Sequence, residues 1–238
     1  MDLKEQNACS GQRHPWELAR AAYLLRIVQQ YQHDTDVILD IGSGDNFFNQ
    51  HLSKYQQLYA VDTAYPTTHS VGRIIYTPDI GQVEGLVDLI LALDVGEHQA
   101  DDQAFFKQLK SKLKPSGKLI ITVPADPTLY SGHDRFLGHY RRYSPDRLAY
   151  LAEELGFKIV EQHAFFWSLY SWRKIFPPAP TVPAATLTSQ WPYGQNHLIT
   201  KMVVSALSFD LKLAEKLRPW INLPGLSLLA VWQPRPTA

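Results

Sequence analysis

Short apolar runs alternate with amphipathic stretches along most of the chain. Runs rich in Val, Ile and Leu predict six strands, at residues 36–41, 58–61, 73–76, 87–93, 118–123 and 157–160. Apolar residues at a spacing of three or four predict an N-terminal helix from Pro15, and further helices after Phe48 and at 101–113 and 144–155. Strands that are apolar along their whole length, separated by helices, are typical of a mostly parallel sheet covered on both faces.

Residues 164–223 break this alternation. They hold four of the six tryptophans and an aromatic run at 165–176, and Pro177–Pro180 excludes regular helix or central strand at that point. A helix over 199–217 and a last strand over 226–232 follow. The interpretations left open are a helical cap packed on the core, a cover that holds an apolar acceptor, a dimer contact and a peripheral contact with a membrane surface.

Composition and charge exclude several classes of protein. Lys and Arg number 23 and Asp and Glu number 23, so the chain lacks the basic excess of a nucleic-acid binder or a polybasic membrane anchor. The single cysteine, Cys9, excludes an internal disulfide and a site built from several thiolates, and no metal site is predicted. No apolar stretch is long enough to span a bilayer and the N-terminus lacks a signal region, so we expect a cytoplasmic protein.

A glycine loop follows the first strand and is the first candidate for chemistry. In Asp40–Asn46 the glycines permit close approach of a ligand, although a tight turn without a ligand remains the alternative. The third glycine of a dinucleotide fingerprint is absent at Phe47. No Lys or Arg lies between Asp36 and Leu52 to meet a diphosphate, which favours a nucleoside ligand without phosphates.

Acidic residues follow three further strands. Asp62 ends the second strand and is placed to accept hydrogen bonds from two ribose hydroxyls. Asp79 follows the third strand, and Asp94 and Glu97 follow the fourth. Because ligands of such sheets bind beyond the carboxyl ends of the strands, we expect these carboxylates to share one rim.

Several ordered segments resemble the motifs of class I S-adenosylmethionine-dependent methyltransferases. They are Val37–Gly44, Asp62, Asp79-Ile80, Leu93–His98 and Leu113–Leu119. The resemblance implies a Rossmann-like, seven-stranded, mostly parallel sheet with an antiparallel last strand, helices on both faces and S-adenosylmethionine as cofactor. It implies these cofactor contacts: Asp40, Gly42, Ser43, Gly44, Asp62, Thr63, Asp79, Ile80, Asp94 and Val95. The chain departs from the family at Asn46, usually Gly, and at Gly96, usually a small apolar residue.

The acceptor is expected to meet the segment after the fifth strand. Residues 133–143 resemble an H-D-x-x-x-G-H-Y-R-R-Y segment of one subgroup of the family. The expected catalytic residues are His133, Asp134 and His139, with a histidine as base and Asp134 orienting it, and the expected acceptor contacts are His98, Tyr140 and Arg141. The alternative is a structural loop in which Arg141 or Arg142 pairs with Glu97 or Asp94 and the tyrosines at 140 and 143 are packing groups.

These patterns together predict a methyltransferase for a small or apolar, lipid-like acceptor. A cofactor-binding regulatory module with little turnover is the alternative. We expect one domain over residues 1–238, with an N-terminal helical segment at 1–34, a cofactor-binding core at 35–163, a cap at 164–223 and the last strand and tail at 224–238. A monomer or a homodimer is expected, with no nucleic-acid partner.

Overall fold

A central eight-stranded sheet organises the molecule, in a computed structural model that describes residues 13–177 and 191–236. The strand order is β3-β4-β2-β1-β5-β6-β8-β7. The strands are β1 (Val37–Ile41), β2 (Gln57–Val61), β3 (His69–Val71), β4 (Ile74–Thr77), β5 (Val87–Leu93), β6 (Leu113–Pro124), β7 (Phe157–Phe165) and β8 (Ser227–Pro234). The five strands that are adjacent in the sheet as β4-β2-β1-β5-β6 are parallel to one another, whereas β8 runs antiparallel to both β6 and β7. The predicted Rossmann-like fold with an antiparallel last strand is therefore confirmed.

Helices cover both faces of the sheet. They are α1 (Pro15–Tyr31), α2 (Asp102–Lys112), α3 (Gly132–Leu137), α4 (Pro145–Glu154), α5 (Trp167–Ile175) and α6 (Leu198–Leu217). One core cluster contains α2 and α4 residues, and the other contains α1 and α6 residues. The central strands are apolar on both sides because each of their faces is buried under one of these layers.

The helix starts follow from local sequence. His14 caps α1 in a capping box with Glu17, and Pro15 occupies the first turn. Asp101 caps α2 by accepting from the Ala104 amide, and Ser144 caps α4 in the same way. The predicted helices at 101–113 and 144–155 are confirmed within two residues at each end.

The predicted helix after Phe48 is wrong. Only a 3₁₀ turn at Asn49–His51 forms between β1 and β2. The His51 ring lies 2.9 Å from the Phe47 carbonyl oxygen, the group that an α-helix would pair with the His51 amide. The Asn49 side chain is also drawn away, to Asp40. Side chains that compete for backbone partners in this way disfavour helix.

One short strand was not predicted, and it lies at the edge of the sheet. β3 pairs antiparallel with β4 and exposes all three of its residues. It has no apolar pattern, which explains why periodicity did not indicate it. It raises the number of strands from the expected seven to eight.

Two helices of the predicted cap lie within the described residues. α6 matches the predicted helix at 199–217, but it buries Leu207, Leu211 and Ala214, while Met202 on the predicted apolar stripe is 62% exposed. α5 ends before Pro177, and most of the proline-rich segment and Cys9 lie outside the described residues. In the part of the chain described here, no helix has the length and apolar character needed to cross a membrane.

Candidate functional site

The loop after β1 is shaped by residues in left-handed backbone conformations. Gly42, Gly44 and Asn46 have φ values of +73°, +56° and +65°. A Cβ atom on Gly42 would lie 2.5 Å from Cγ2 of Val95, so the loop presses directly against the segment after β5. The Gly42 amide also donates to the Val61 carbonyl over 2.7 Å. The glycines of the predicted motif therefore bring three strand ends together.

Asp40 lies beneath this loop and is 3% exposed. Its carboxylate accepts a hydrogen bond of 2.8 Å from the Asn49 side chain. Burial raises the pKa of Asp40 to about 7, and the charge of Asp62 acts in the same direction, while the Asn49 hydrogen bond opposes the rise. Asp40 and Asp62 thus lie on one side of the molecule, as the sequence predicted.

Asp62 is half-buried at the end of β2 and supports the loop. Its carboxylate accepts from the Gly44 amide over 2.8 Å and from the Ala64 amide over 2.9 Å. The Tyr65 hydroxyl donates to the Gly44 carbonyl over 3.0 Å and lies 2.9 Å from the Ser43 hydroxyl. The rim therefore includes Tyr65, which sequence reasoning did not select.

The third acidic position is more exposed than the first two. Asp79 caps a 3₁₀ turn at Ile80–Gln82 by accepting a hydrogen bond of 2.7 Å from the Gly81 amide. Ile80 beside it is buried, and Thr63 beyond β2 is exposed. The exposed carboxylate of Asp79 and the buried apolar side chain of Ile80 are thus adjacent at the rim.

Asp94 follows β5 and is neutralised by the N-terminal helix. Arg20 of α1 lies 2.7 Å from the Asp94 carboxylate and donates to the Thr122 hydroxyl over 2.7 Å. Burial favours the protonated form of Asp94, but the Arg20 guanidinium and the hydrogen bond from Thr122 hold its pKa below the ordinary value. In the structural-loop alternative, Asp94 was a candidate partner of Arg141 or Arg142; the structure pairs Asp94 with Arg20 instead, and Arg142 with Asp134.

A second arginine joins the N-terminal segment to the glycine loop. Arg13 forms an ion pair with Asp45, and its guanidinium lies 4.1 Å from the centre of the Phe47 ring. Arg13 also lies 3.6 Å from Glu17 of α1. The segment that leads into α1 therefore contributes to the rim through Arg13, while α1 itself packs on the core.

The predicted acceptor segment is organised around Asp134, which is fully buried. Its carboxylate accepts hydrogen bonds from the Ser131 amide over 2.8 Å and from Nε of Arg142 over 2.7 Å, and it lies 3.1 Å from Nδ1 of His139. Burial alone would raise the pKa of Asp134, but the contacts with His139 and Arg142 hold it well below its usual range. The predicted orientation of a histidine by Asp134 is seen for His139.

Three side chains meet at the edge of this segment. Glu97, His98 and His139 each offer a ligand atom, and these atoms all lie within 4.8 Å of one another. The rings of His98 and His139 have centroids 4.7 Å apart, in a T-shaped arrangement. Glu97 is 1% exposed, and neither of its carboxylate oxygens has a hydrogen-bond partner among the described residues. Burial, with the charge of Asp94, raises the pKa of Glu97 well above its ordinary value.

Other residues of the segment have different surroundings. Arg141 donates to the carbonyls of Gln99 and Ala100, over 2.7 and 2.6 Å, so it fixes the loop after β5. Tyr140 is 61% exposed, which makes the packing interpretation of this residue wrong, whereas Tyr143 is fully buried. Burial lowers the pKa of His133.

A cavity of about 370 Å³ lies between α5 and the ends of β6 and β7. Its lining includes Asp126, Tyr170, Gln162 and Leu228. The Asp126 carboxylate contacts the Tyr170 hydroxyl over 3.1 Å and Lys174 over 2.8 Å. The first cap helix is thereby tied to the segment after β6.

A family model described as a methyltransferase domain matches residues 15–162, more than half of the chain. The chain belongs to this methyltransferase domain family. No curated protein is similar enough to count as a match.

Solved structures share the fold of this methyltransferase domain at low sequence identity. The YcgJ protein of Bacillus subtilis has a TM-score of 0.56 at 12% identity, over 91% of this chain and 100% of that one. The N-methyltransferase NodS of Bradyrhizobium japonicum, in complex with S-adenosyl-L-homocysteine, has a TM-score of 0.51 at 21% identity, over 63% and 79%. Coclaurine N-methyltransferase, bound to N-methylheliamine and S-adenosyl-L-homocysteine, has a TM-score of 0.54 at 16% identity, over 91% and 71%.

Four side chains of the methyltransferase domain site escaped the sequence reasoning: Arg13, Arg20, Asn49 and Tyr65. Each of them contacts a residue on another element of the fold, as Arg20 contacts Thr122, and the hydrophobic periodicity of the sequence gives no information on such contacts. Asn49 carried one local signal, since Asn within an expected helix is unfavourable and suggests another role.

Proposed function

We propose that the protein is an S-adenosylmethionine-dependent methyltransferase that acts on a small or apolar, lipid-like acceptor. The observation that carries the proposal is the rim itself, in which Asp62 stands beside the close-packed loop of Gly42 and Gly44. Membership of the methyltransferase domain family and the shared fold support the same conclusion.

The rim fits the charge of this cofactor. S-adenosylmethionine carries a sulfonium and an ammonium against one carboxylate, and several carboxylates line the rim to meet that net positive charge. We assign the methionyl part to Gly42, Ser43, Gly44 and Asp40, the ribose to Asp62 and Thr63, and the adenine to Asp79, Ile80 and Val95. We also assign Asp94, beside the loop, to the cofactor side; since Arg20 balances its charge, the negative charge of the rim comes from other carboxylates such as Asp62.

When bound, S-adenosylmethionine supplies an activated methyl group for direct displacement. The chain mainly has to align the acceptor with that group, and such positioning can supply about 7–11 kcal/mol of the barrier. We assign His139 as the base that accepts a proton from the acceptor where one must be lost, and Asp134 as the residue that positions its ring. His133, His98 and Tyr140 complete the proposed acceptor side, with Arg141 holding the loop.

The cap and the cavity beneath α5 support an acceptor with apolar surface. We propose that residues 164–223 form a cap on a single domain with the core at 35–163, and that the cavity takes part of the acceptor. Exposed aromatic side chains on α5, such as Trp172, are consistent with an acceptor delivered from a membrane surface or with a second copy of the chain.

The two departures from the family pattern have structural explanations. Asn46 adopts the left-handed conformation that Gly usually supplies. A Cβ atom at Gly96 would lie 3.0 Å from the Phe106 ring, so Gly fits the close packing there. Neither departure supports the alternative of a regulatory module without turnover.

Calorimetric titration with S-adenosylmethionine and S-adenosyl-L-homocysteine tests the cofactor. We expect binding by the wild type and at least about tenfold weaker binding by Asp62→Asn, since a charge-assisted hydrogen bond contributes about 1.5–3 kcal/mol. Asp34→Asn is the matched control because Asp34 is exposed before β1, at the opposite end of the sheet. Negligible heat with wild-type protein, or equal affinities for all three proteins, would refute the assignment.

A labelled-methyl assay tests turnover. Separated lipid, small-molecule and macromolecule fractions are offered as acceptors, and we expect transfer to the lipid or small-molecule fraction. His139→Gln is expected to lower transfer while cofactor binding stays unchanged. Binding of the cofactor without transfer to any fraction would favour the regulatory alternative.

A further inference from the structure

The buried carboxylate of Glu97 is the most unusual polar group in the described part of the chain. It is 1% exposed, and its two oxygens have no hydrogen-bond partner within residues 13–177 and 191–236. Burying a carboxylate without a partner is costly, and native proteins rarely leave such a group unsatisfied. Protonation alone would exchange the charge for an O–H group that itself needs an acceptor.

The neighbouring charges leave a negative excess at the same place. Asp94 is paired with Arg20 at 2.7 Å, and Asp134 with Arg142 at 2.7 Å. Glu97 has no such partner in the described residues. A bound cation would balance this charge and satisfy both oxygens.

Two histidines, His98 and His139, lie beside the Glu97 carboxylate and could bind the same cation. The ligand atoms of Glu97, His98 and His139 lie within 4.8 Å of one another. A tetrahedral zinc ion with bonds of about 2.0–2.1 Å holds its ligand atoms about 3.4 Å apart, so modest side-chain movement would close the set. The Tyr140 amide donates to the Glu97 carbonyl over 2.7 Å and keeps the two loops together.

The outer contacts also match a metal site. Nδ1 of His139 faces the buried Asp134 carboxylate at 3.1 Å, which leaves Nε2 as the nitrogen for a ligand bond. Histidines that bind metals usually make this contact with a carboxylate through their other ring nitrogen, and it fixes the ring. Ser131 and Arg142 in turn hold Asp134 in place.

We propose that Glu97, His98 and His139 bind one divalent transition-metal ion, with zinc the best match. Two imidazole nitrogens and one carboxylate oxygen suit zinc and its first-row neighbours, whereas Mg²⁺ and Ca²⁺ prefer oxygen ligands alone. Three protein ligands leave a coordination position open, as in catalytic zinc sites. If the proposed function holds, an oxygen atom of the acceptor would take that position. The ion would then favour loss of the acceptor proton in place of the base role assigned to His139, whose Nε2 would bind the ion. This extension rests on the proposed function, but metal binding does not.

Metal binding by the full chain, prepared without a histidine tag and freed of metal with a chelator, tests the proposal. Co²⁺ is added first, because its visible absorption reports the ligand geometry, and Zn²⁺ then competes for the site. We expect one Co²⁺ per chain, displaced by Zn²⁺, and a rise in melting temperature with Zn²⁺. Glu97→Gln and His139→Gln are expected to weaken binding at least about 100-fold, by comparison with the 10–100-fold lost when only an outer contact is removed.

His33→Gln is the matched control, since His33 is exposed and lies far along the chain from the cluster. It is expected to bind Co²⁺ like the wild type. Glu97→Gln removes a buried charge that no described residue pairs with, so it is expected to fold, and its melting temperature without metal checks this. Absence of Co²⁺ binding by the wild type, or equal binding by the wild type and Glu97→Gln, would overturn the proposal. No cofactor is present in these measurements, so their outcome is independent of the S-adenosylmethionine titration.

Discussion

Asp40→Asn should change the way stability depends on pH. Asp40 is buried beneath the glycine loop, and burial raises its pKa from 3.8 to about 7. In the unfolded chain the carboxyl ionises near its ordinary value. Between about pH 4 and pH 7 the folded protein therefore binds more protons at this residue than the unfolded protein, so acidification through this window stabilises the fold.

The magnitude follows from the pKa difference. Each pKa unit corresponds to about 1.4 kcal/mol, so the ionised Asp40 costs the folded state about 4 kcal/mol at high pH relative to its protonated form. Between pH 8 and pH 5, the titration of Asp40 changes the free energy of unfolding of the wild type by about 3 kcal/mol of this total. The amide introduced by Asp40→Asn would stay neutral and would keep an oxygen to accept the hydrogen bond from Asn49.

Urea unfolding at pH 5 and pH 8, followed by circular dichroism, measures this effect. We expect the free energy of unfolding of Asp40→Asn minus that of the wild type to be about 3 kcal/mol larger at pH 8 than at pH 5, because the wild type alone loses stability when Asp40 ionises. Asp34→Asn, at an exposed position, should show no such change. The same difference between Asp40→Asn and wild type at both pH values would refute the reasoning.

Three further substitutions have clear expected outcomes. Gly42→Ala should destabilise the protein by about 1–3 kcal/mol more than Gly85→Ala in chemical denaturation. Both glycines have positive φ, but of the two only Gly42 lies so close to a neighbour that an added Cβ would clash. Equal losses of unfolding free energy in the two variants would contradict this explanation. Burial lowers the pKa of His163 to about 4, so the wild type should lose up to about 3 kcal/mol on acidification from pH 7 to pH 4 through this residue, and His163→Gln should lack that loss. Arg20→Met should cost about 3 kcal/mol and raise the pKa of Asp94, measured by unfolding and by NMR titration, because it strips a half-buried carboxylate of its cation.

The sequence by itself determined most of the sheet and the position of the acidic rim. Strands such as Val87–Leu93 are apolar along their length, and this pattern is local, so it can be read without knowing the partners. The rule that carboxyl ends of parallel strands meet at one edge then placed Asp40 and Asp62 together. Glycines at 42 and 44 marked a turn that the structure holds with positive φ.

The wrong prediction of a helix after Phe48 shows a limit of prediction from local sequence. Its apolar spacing was correct, and Leu52 and Tyr55 are indeed buried, but Asn49 bonds Asp40 and the His51 ring contacts the Phe47 carbonyl. Periodicity reports which side chains are buried, while the choice between helix and irregular chain depended here on contacts between side chains and distant polar groups.

Only the tertiary structure decided which charges pair. Arg20 is 74 residues from Asp94 in sequence, yet it forms the ion pair for which the structural-loop alternative had considered Arg141 or Arg142. The same is true of Glu97: its type and position could be read from the sequence, but not its burial without a hydrogen-bond partner among the residues that the structure describes. The sequence specifies which residues can carry a charge. The electrostatic free energy of each charge depends on the surrounding dielectric and on its partners, and these are set only when the chain folds.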